Sequence, residues 1–547
     1  MKHSLKSILV AGMLLTTTLV FTSCEGALDD IFGEWDKPSG GANAGATSAD
    51  VVTYLKWDDA TKALKATPLP GSYKTMTATE TTWSGTYVVD QDVEIADDVT
   101  LGGDVDLIIL DGKTLSLATN KKIEYLEETY TLSIFGQSEG SDAGKLQVSV
   151  LGYSTSSTYG TLNIHSGIVN ATATEGNTAI HVGKLNIYGG TVVAEGENKG
   201  FEIVGDLKIY GGDVKATTTV TNGIDCDGDI EITGGKVYAK GGDATSTRPG
   251  GHGIVFDTGY KLTIDGTADV TAIGGAGYND GGTWTIGGVG VYGYSGIVYI
   301  DIKGGELKVS GGYRRDAIYL SDGSVMTISG SSTKVTATGG SNGAGIHVEA
   351  SGSLIINEGV VAAYGGEGPQ GFGLEGTINI KGGSVTVEGG DAAASSNVVG
   401  GIAIGGELNV YGGTLKATGG NGDGTGNGGH GFAARLYISG GSVEVTGGNG
   451  GSAGKGGSGI ATGNPVVVVY TGGSFIAMGG TGSQEGNGLY NSAGSTGGKI
   501  RNNKNTAIMY YTYDGTSWGT TGTSIDAASS IPGTESGVIN ARGVKIE

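Results

Sequence analysis

One short phrase recurs along this chain and restricts what it can fold into. Residues 185–192 read Leu-Asn-Ile-Tyr-Gly-Gly-Thr-Val, and 207–214, 230–237 and 408–415 repeat the pattern. Each copy holds two period-two apolar pieces, as strands do, parted by a pair of glycines that marks a corner. The second-strand apolar positions fall at Ile164, Ile187, Ile209, Ile232, Ile264, Ile302, Ile328, Ile356, Ile380, Val410, Ile438 and Val469. The early spacings of 22 and 23 residues suit one turn of three short strands and three corners. A repeat that cannot bury its own apolar face must stack on its neighbours. The expected fold is therefore all-β: a single-stranded parallel β-helix of roughly 14–16 coils with N- and C-terminal caps. A coil rises by one inter-strand spacing, about 4.8 Å.

Composition agrees. Glycine makes up 110 of 547 residues and proline only 7. No strict Gly-X-Y period exists, so collagen is excluded, and the glycines punctuate strands rather than form a linker. The formal net charge is −22. That argues against nucleic acid and anionic membrane surfaces as partners. Of the two cysteines, Cys226 falls on an apolar strand position and reads as a small buried hydrophobe. No disulfide framework is expected.

The boundaries read as follows. Residues 1–23 form an export signal, with Lys2 and Lys6 ahead of an apolar run too short to span a membrane. Residues 24–50 hold Cys24 and a Gly/Ala/Ser-rich tether. Residues 51–84 form an N-terminal β cap, 85–500 the β-helix and 501–547 a C-terminal β cap. The run Leu19-Val20-Phe21-Thr22-Ser23-Cys24 resembles the lipobox of bacterial lipoproteins, with Phe21 a departure from its usual leucine. The acidic stretch after it resembles the surface-export signal of Bacteroidota lipoproteins. The resemblance implies that Cys24 is acylated and that the chain is anchored to the outer membrane by lipid alone, facing the cell exterior.

On the first strand of each coil, the inward pairs read as Ile180/Val182, Phe201/Ile203, Ile224/Cys226, Ile254/Phe256, Ile346/Val348 and Phe372/Leu374. His181, Glu202, Asp225, Val255, Tyr319 and His347 face outward, followed later by Gly373, Ala403, Ala433 and Ala461. A site is therefore expected in the first half. The densest acidic run is Asn222-Gly223-Ile224-Asp225-Cys226-Asp227-Gly228-Asp229. Asp225, Asp227 and Asp229 at alternate positions suit calcium, which takes six to eight oxygens in loose geometry. A solvated acidic corner is the alternative. This run, continuing into Ile-Glu-Ile-Thr-Gly-Gly-Lys-Val, resembles the carbohydrate-binding β-helix family related to polysaccharide lyases (pectin-lyase-like). The resemblance implies a right-handed coil, calcium sites and binding of plant-type or acidic polysaccharide. Asn222 departs from the family's first aspartate, and most other coils lack the acids.

Aromatic residues are the second candidate. Tyr278, Trp284, Tyr292 and Tyr294 lie in or beside the longest glycine insertion, and Tyr313 lies one coil on. Sugar C–H faces pack on aromatic rings while polar groups take the hydroxyls. Arg314 and Arg315 could grip a uronate carboxylate. Tyr188, Tyr210 and Tyr411 share a turn position, where corner packing competes with binding. His252 and His430 in Gly-Gly-His-Gly corners read as structural. No nucleophile motif stands out. The expected function is a monomeric surface lipoprotein that binds polysaccharide without cleaving it. A polysaccharide lyase or glycoside hydrolase, and an adhesin or spacer with a protein or host partner, are the rivals.

Overall fold

The computed structural model describes residues 51–152, 159–281, 284–294, 296–394, 397–462, 468–491, 500–504, 506–513, 516–520, 522–525 and 541–546. The signal, Cys24 and the tether lie outside them. Among the described residues every helix or strand is a strand, and nearly all pair in parallel, coil upon coil. Three ladders result. The first is typified by Ile180–Val182, Phe201–Ile203 and Ile224–Cys226. The second is typified by Lys184–Ile187, Leu207–Ile209 and Ile230–Ile232. The third runs from Val93–Ile95 to Ser474–Met478, fifteen strands among the described residues, or about 70 Å at the inter-strand spacing. The chain is a parallel β-helix.

Alternation sets the core. Ile180 and Val182, Leu185 and Ile187, and Val192 and Ala194 supply one coil's inward layer, all fully buried. The same positions stack coil after coil, so one continuous apolar column forms. Between the second and third ladders the chain turns at the paired glycines. Gly190 has φ +76°, and a Cβ there would overlap the Gly167 carbonyl oxygen of the coil before. Only glycine fits that corner without strain. The second-ladder positions stack as the repeat predicts from Ile164 to Ile438. The last differs: Tyr470, not Val469, lies under Ile438. In a run of valines alternation carries no phase, and the larger tyrosine, fully buried, fills the space.

The glycine insertions all lie between the third and first ladders. Outgoing and returning legs of successive loops bond alternately to each other. The N–H of Gly420 donates to Gly401 O, Gly429 to Gly420, Gly448 to Gly429, Gly457 to Gly448, Gly480 to Gly457 and Gly486 to Gly480, at 2.7–2.8 Å. A Cβ on Gly457 would overlap the Gly429 carbonyl. Glycine thus serves here as a close-packed backbone layer, not as slack.

The segment 51–84 divides in two. Residues 74–83 close the first coil: Lys74–Thr75 pairs with Tyr87 and Val88, and Met76 and Trp83 are fully buried. The hairpin of Thr53–Asp58 and Ala63–Pro68 instead lies along the flank, against the corners of several coils. There Phe135, His165, Tyr188 and Tyr210 form a stack with centroids 4.5, 4.6 and 5.2 Å apart. Trp57 covers Tyr188 and Tyr210 at 5.2 and 5.4 Å, and its backbone N–H donates to His165 Nδ1 at 3.1 Å. At the other end, Gly543–Ile546 adds antiparallel to Ser474–Met478, and Ile508–Tyr513 adds antiparallel to that.

Candidate functional site

The outward side chains of the first ladder form a row set by register. In order they are His181, Glu202, Asp225, Val255, Tyr292, Tyr319, His347, Glu375, Gly405, Ala433, Ala461 and Tyr490. Two late positions differ from the sequence reading. Ala403 is fully buried and Gly373 is buried, whereas Glu375 and Gly405 take the outward register positions, Gly405 beneath the Phe372 ring. Leu374 alone points inward and Phe372 stands at the corner, because one seven-residue strand, Leu374–Ile380, runs through the turn there. The richest stretch of the row is consequently 292–375, not the first half.

The early part of the row is a closed ion-pair network. Lys199 Nζ lies 2.8 Å from Glu202 Oε1 and 2.9 Å from Asp225 Oδ2. Asn222 Nδ2 donates to Asp225 Oδ2 at 2.9 Å, and Thr178 Oγ1 to Glu202 Oε2 at 3.1 Å. Burial works against ionised Glu202, but Lys199, His181 and Thr178 outweigh it and hold its pKa below the usual range. Tyr159 stacks on His181 at 4.2 Å, and burial lowers that imidazole's pKa against the opposing charge of Glu202. Two of the three aspartates expected to hold calcium have other partners. Asp225 joins Lys199. Asp229 accepts the N–H of Lys261 at 2.9 Å, in the next coil. Asp227 has its pKa raised by burial and by Asp225. Among the described residues no three His, Cys, Asp or Glu side chains converge as a metal requires. Asp229 belongs to a series of corner aspartates that accept backbone N–H groups of the following coil, with Asp92, Asp98 and Asp104. Cys226 is buried and free, and burial pushes its thiol up to about 12.

The middle of the row is aromatic and acidic. Tyr292 stacks on His252 at 4.6 Å, tilts against Tyr319 at 5.5 Å and meets Tyr294 edge-on at 6.1 Å. Tyr319 OH donates to Glu349 Oε1 at 2.7 Å, and its ring meets His347 edge-on at 5.3 Å. His347 Nδ1 lies 3.1 Å from Asp316 Oδ2, and Nε2 lies 3.9 Å from Glu375 Oε2. Burial opposes the imidazolium, yet the bond to Asp316 and the charges of Asp316, Glu375 and Glu349 prevail and raise its pKa. Burial also raises the Glu375 carboxyl, partly countered by His347. Beside them the side chains shrink to Gly405 and Ala433, and a cavity of about 440 Å³ opens, walled by His347, Glu349, Phe372 and Glu375. His252 is structural as expected: Nδ1 accepts the N–H of Val289 at 2.9 Å, and burial with nearby Arg315 lowers its pKa to about 4. His430 accepts the N–H of Ser458 in the same manner.

The seven residues expected to bind carbohydrate fall into two groups. Tyr292 belongs to the row, and Tyr294 stands edge-on beside it. Tyr278–Asn279 and Trp284–Thr285 form a small antiparallel hairpin in the insertion. Trp284, 57% exposed, stacks on Tyr313 at 4.7 Å, and the Arg314 guanidinium stands 5.9 Å from the Tyr313 ring centre. Arg315 lies near His252, and its buried Nε has no hydrogen-bond partner among the described residues. Asp316, Glu349 and Glu375 do not stand out in the sequence, and Phe372 reads there as an inward residue. Aligning Leu374 with Ile346 would have put Glu375 beside His347. Comparison with protein-family models, with curated proteins and with solved structures returns no match.

Proposed function

We propose that this chain binds polysaccharide through the first-ladder face, without cleaving it, as a lipid-anchored protein of the outer membrane. One observation carries the reading: the strip Tyr292–Tyr319–His347 leads into a cavity walled by Phe372, Glu349 and Glu375. Aromatic faces take the apolar side of a pyranose, and carboxylates accept its hydroxyls. The resemblance of the Asn222–Val237 run to carbohydrate-binding β-helices supports the same assignment. Lys199 holds Asp225, so the proposed saccharide strip does not draw on that carboxylate.

The test is retention on a panel of polysaccharides, with calcium and with a chelator, while new reducing or unsaturated ends are monitored. The full chain is held in a detergent without a sugar headgroup. Calcium-independent retention that falls about tenfold in Tyr319→Ala, and not in Tyr411→Ala, supports the proposal. Absence of retention on every glycan favours the adhesin or spacer. A hydrolytic reading has one feature in its favour: Glu375 is biased toward its acid form beside Glu349 and Asp316, the division of labour between proton donor and carboxylate base. New reducing ends, abolished by Glu375→Gln, would establish it.

A further inference from the structure

A second groove lies on a different face, near the N-terminal end of the third ladder. Its volume is about 600 Å³. The floor is the outward row Ser116, Gln147, Asn170 and Val193, one residue per coil in register. One wall is tied across coils: Thr174 Oγ1 donates to Asn120 Oδ1 at 3.2 Å, and Asn120 Nδ2 donates to Glu175 Oε1 at 3.0 Å. The groove is therefore held open by bonds between residues far apart in sequence, rather than by loose loops.

Its chemistry is neutral on a chain of net charge −22. Glu195 is the one ionisable residue lining it among the described residues, and Lys215 Nζ holds that carboxylate at 2.6 Å. The remaining polar groups are hydroxyls and amides. An amide offers two donors and an acceptor, the set that matches a hydroxyl able to donate and accept. Val193 adds an apolar pad at the floor. A polypeptide strand would need a free sheet edge. None is offered here, because the third-ladder strands on either side are already paired. Among the lining residues an anionic or cationic chain would find no uncompensated counter-charge.

We propose that this groove is a second saccharide site, selective for a neutral oligosaccharide lying across the coils. It is separate from the first-ladder face and does not depend on that reading.

The experiment is calorimetric titration of the full chain, in a detergent without a sugar headgroup, with cellohexaose, xylohexaose and mannohexaose, and with hexagalacturonate as the charged comparator. The expected result is binding of at least one neutral hexasaccharide. The double variant Gln147→Ala/Asn170→Ala weakens it at least tenfold, and Val193→Lys, which places a charged chain on the floor, abolishes it. Tyr319→Ala leaves that binding unchanged, which separates this site from the first-ladder one. Unchanged thermal melting of the variants, whose side chains lie at the surface, certifies the fold. The proposal is overturned if none of the three neutral probes binds, if Gln147→Ala/Asn170→Ala binds as the parent does, or if loss of neutral binding follows Tyr319→Ala instead.

Discussion

Acid should peel the flanking hairpin from the β-helix, and His165 sets where. Its Nδ1 must be unprotonated to accept the Trp57 N–H, and burial, then Lys56, lowers its pKa from 6.5 to about 4. With the hairpin detached the ring meets water and titrates near 6.5. A base with a lowered pKa in the docked state stabilises docking fully above the higher value. That contribution declines as pH falls from 6.5 toward 4, then levels off. A shift of this size corresponds to about 3 kcal/mol, comparable with the two ring contacts of Trp57 at about 1 kcal/mol each. The hairpin's own ion pair, Asp58 with Lys65, persists through this window, since the bond to Lys65 holds Asp58 near 2. The assay is hydrogen exchange of residues 53–68, expressed as protection relative to the free peptide at each pH. Protection should fall roughly a hundredfold between pH 7 and 4. It should fall little in His165→Asn, whose amide oxygen can accept the same bond without titrating. Trp57→Ala should lower it at pH 7 by about 2 kcal/mol. Equal protection of the parent protein at both pH values, or the same loss in His165→Asn, would refute the reasoning.

Three further outcomes are expected. Gly190→Val forces a branched residue into φ +76° against the Gly167 carbonyl and should cost about 2–4 kcal/mol, read as a lowered denaturant midpoint. Lys199→Met leaves Glu202 and Asp225 facing each other and should cost about 1–3 kcal/mol; added calcium should then raise the variant's melting temperature but not the parent's. The pKa of His347 is raised, so the stabilisation from its pairing with Asp316 is complete below pH 6.5 and lost as pH rises through the folded value. The melting-temperature gap between the parent and His347→Asn should accordingly be widest near pH 6 and close at alkaline pH.

The architecture was legible because the repeat ties three levels together. Period-two alternation names the inward residues, glycine pairs name a corner, and the 22–23-residue period names the coil. The site was less legible for the same reason. Its members meet by stacking, and stacking is readable only while register is known. From His181 to Asp225 the spacing is regular, and the outward residues were assigned correctly. Past the insertions the count drifts. Phe372 and Leu374 look like one inward pair, yet the chain enters the strand only at Leu374, which hides Glu375 beside His347. The aspartates show another limit: Asp225, Asp227 and Asp229 share a sequence rhythm, but that rhythm does not show that Asp225 turns to Lys199 and Asp229 to the Lys261 N–H. The hairpin 53–68 has strand signals that sequence can show. Its destination beside His165, more than a hundred residues on, is tertiary information alone.

The two ends of the β-helix are dissimilar, and that has a consequence for how copies of this chain can meet. At one end Met76 and Trp83 plug the column with side chains. At the other, the last strand of the third ladder is met by one running the opposite way. A second copy arriving head to tail finds the column filled by those side chains at the first end, and no parallel template on the third ladder at the second. Fibre growth by coil addition, the hazard inherent in any stack of identical strands, is therefore opposed along the third ladder.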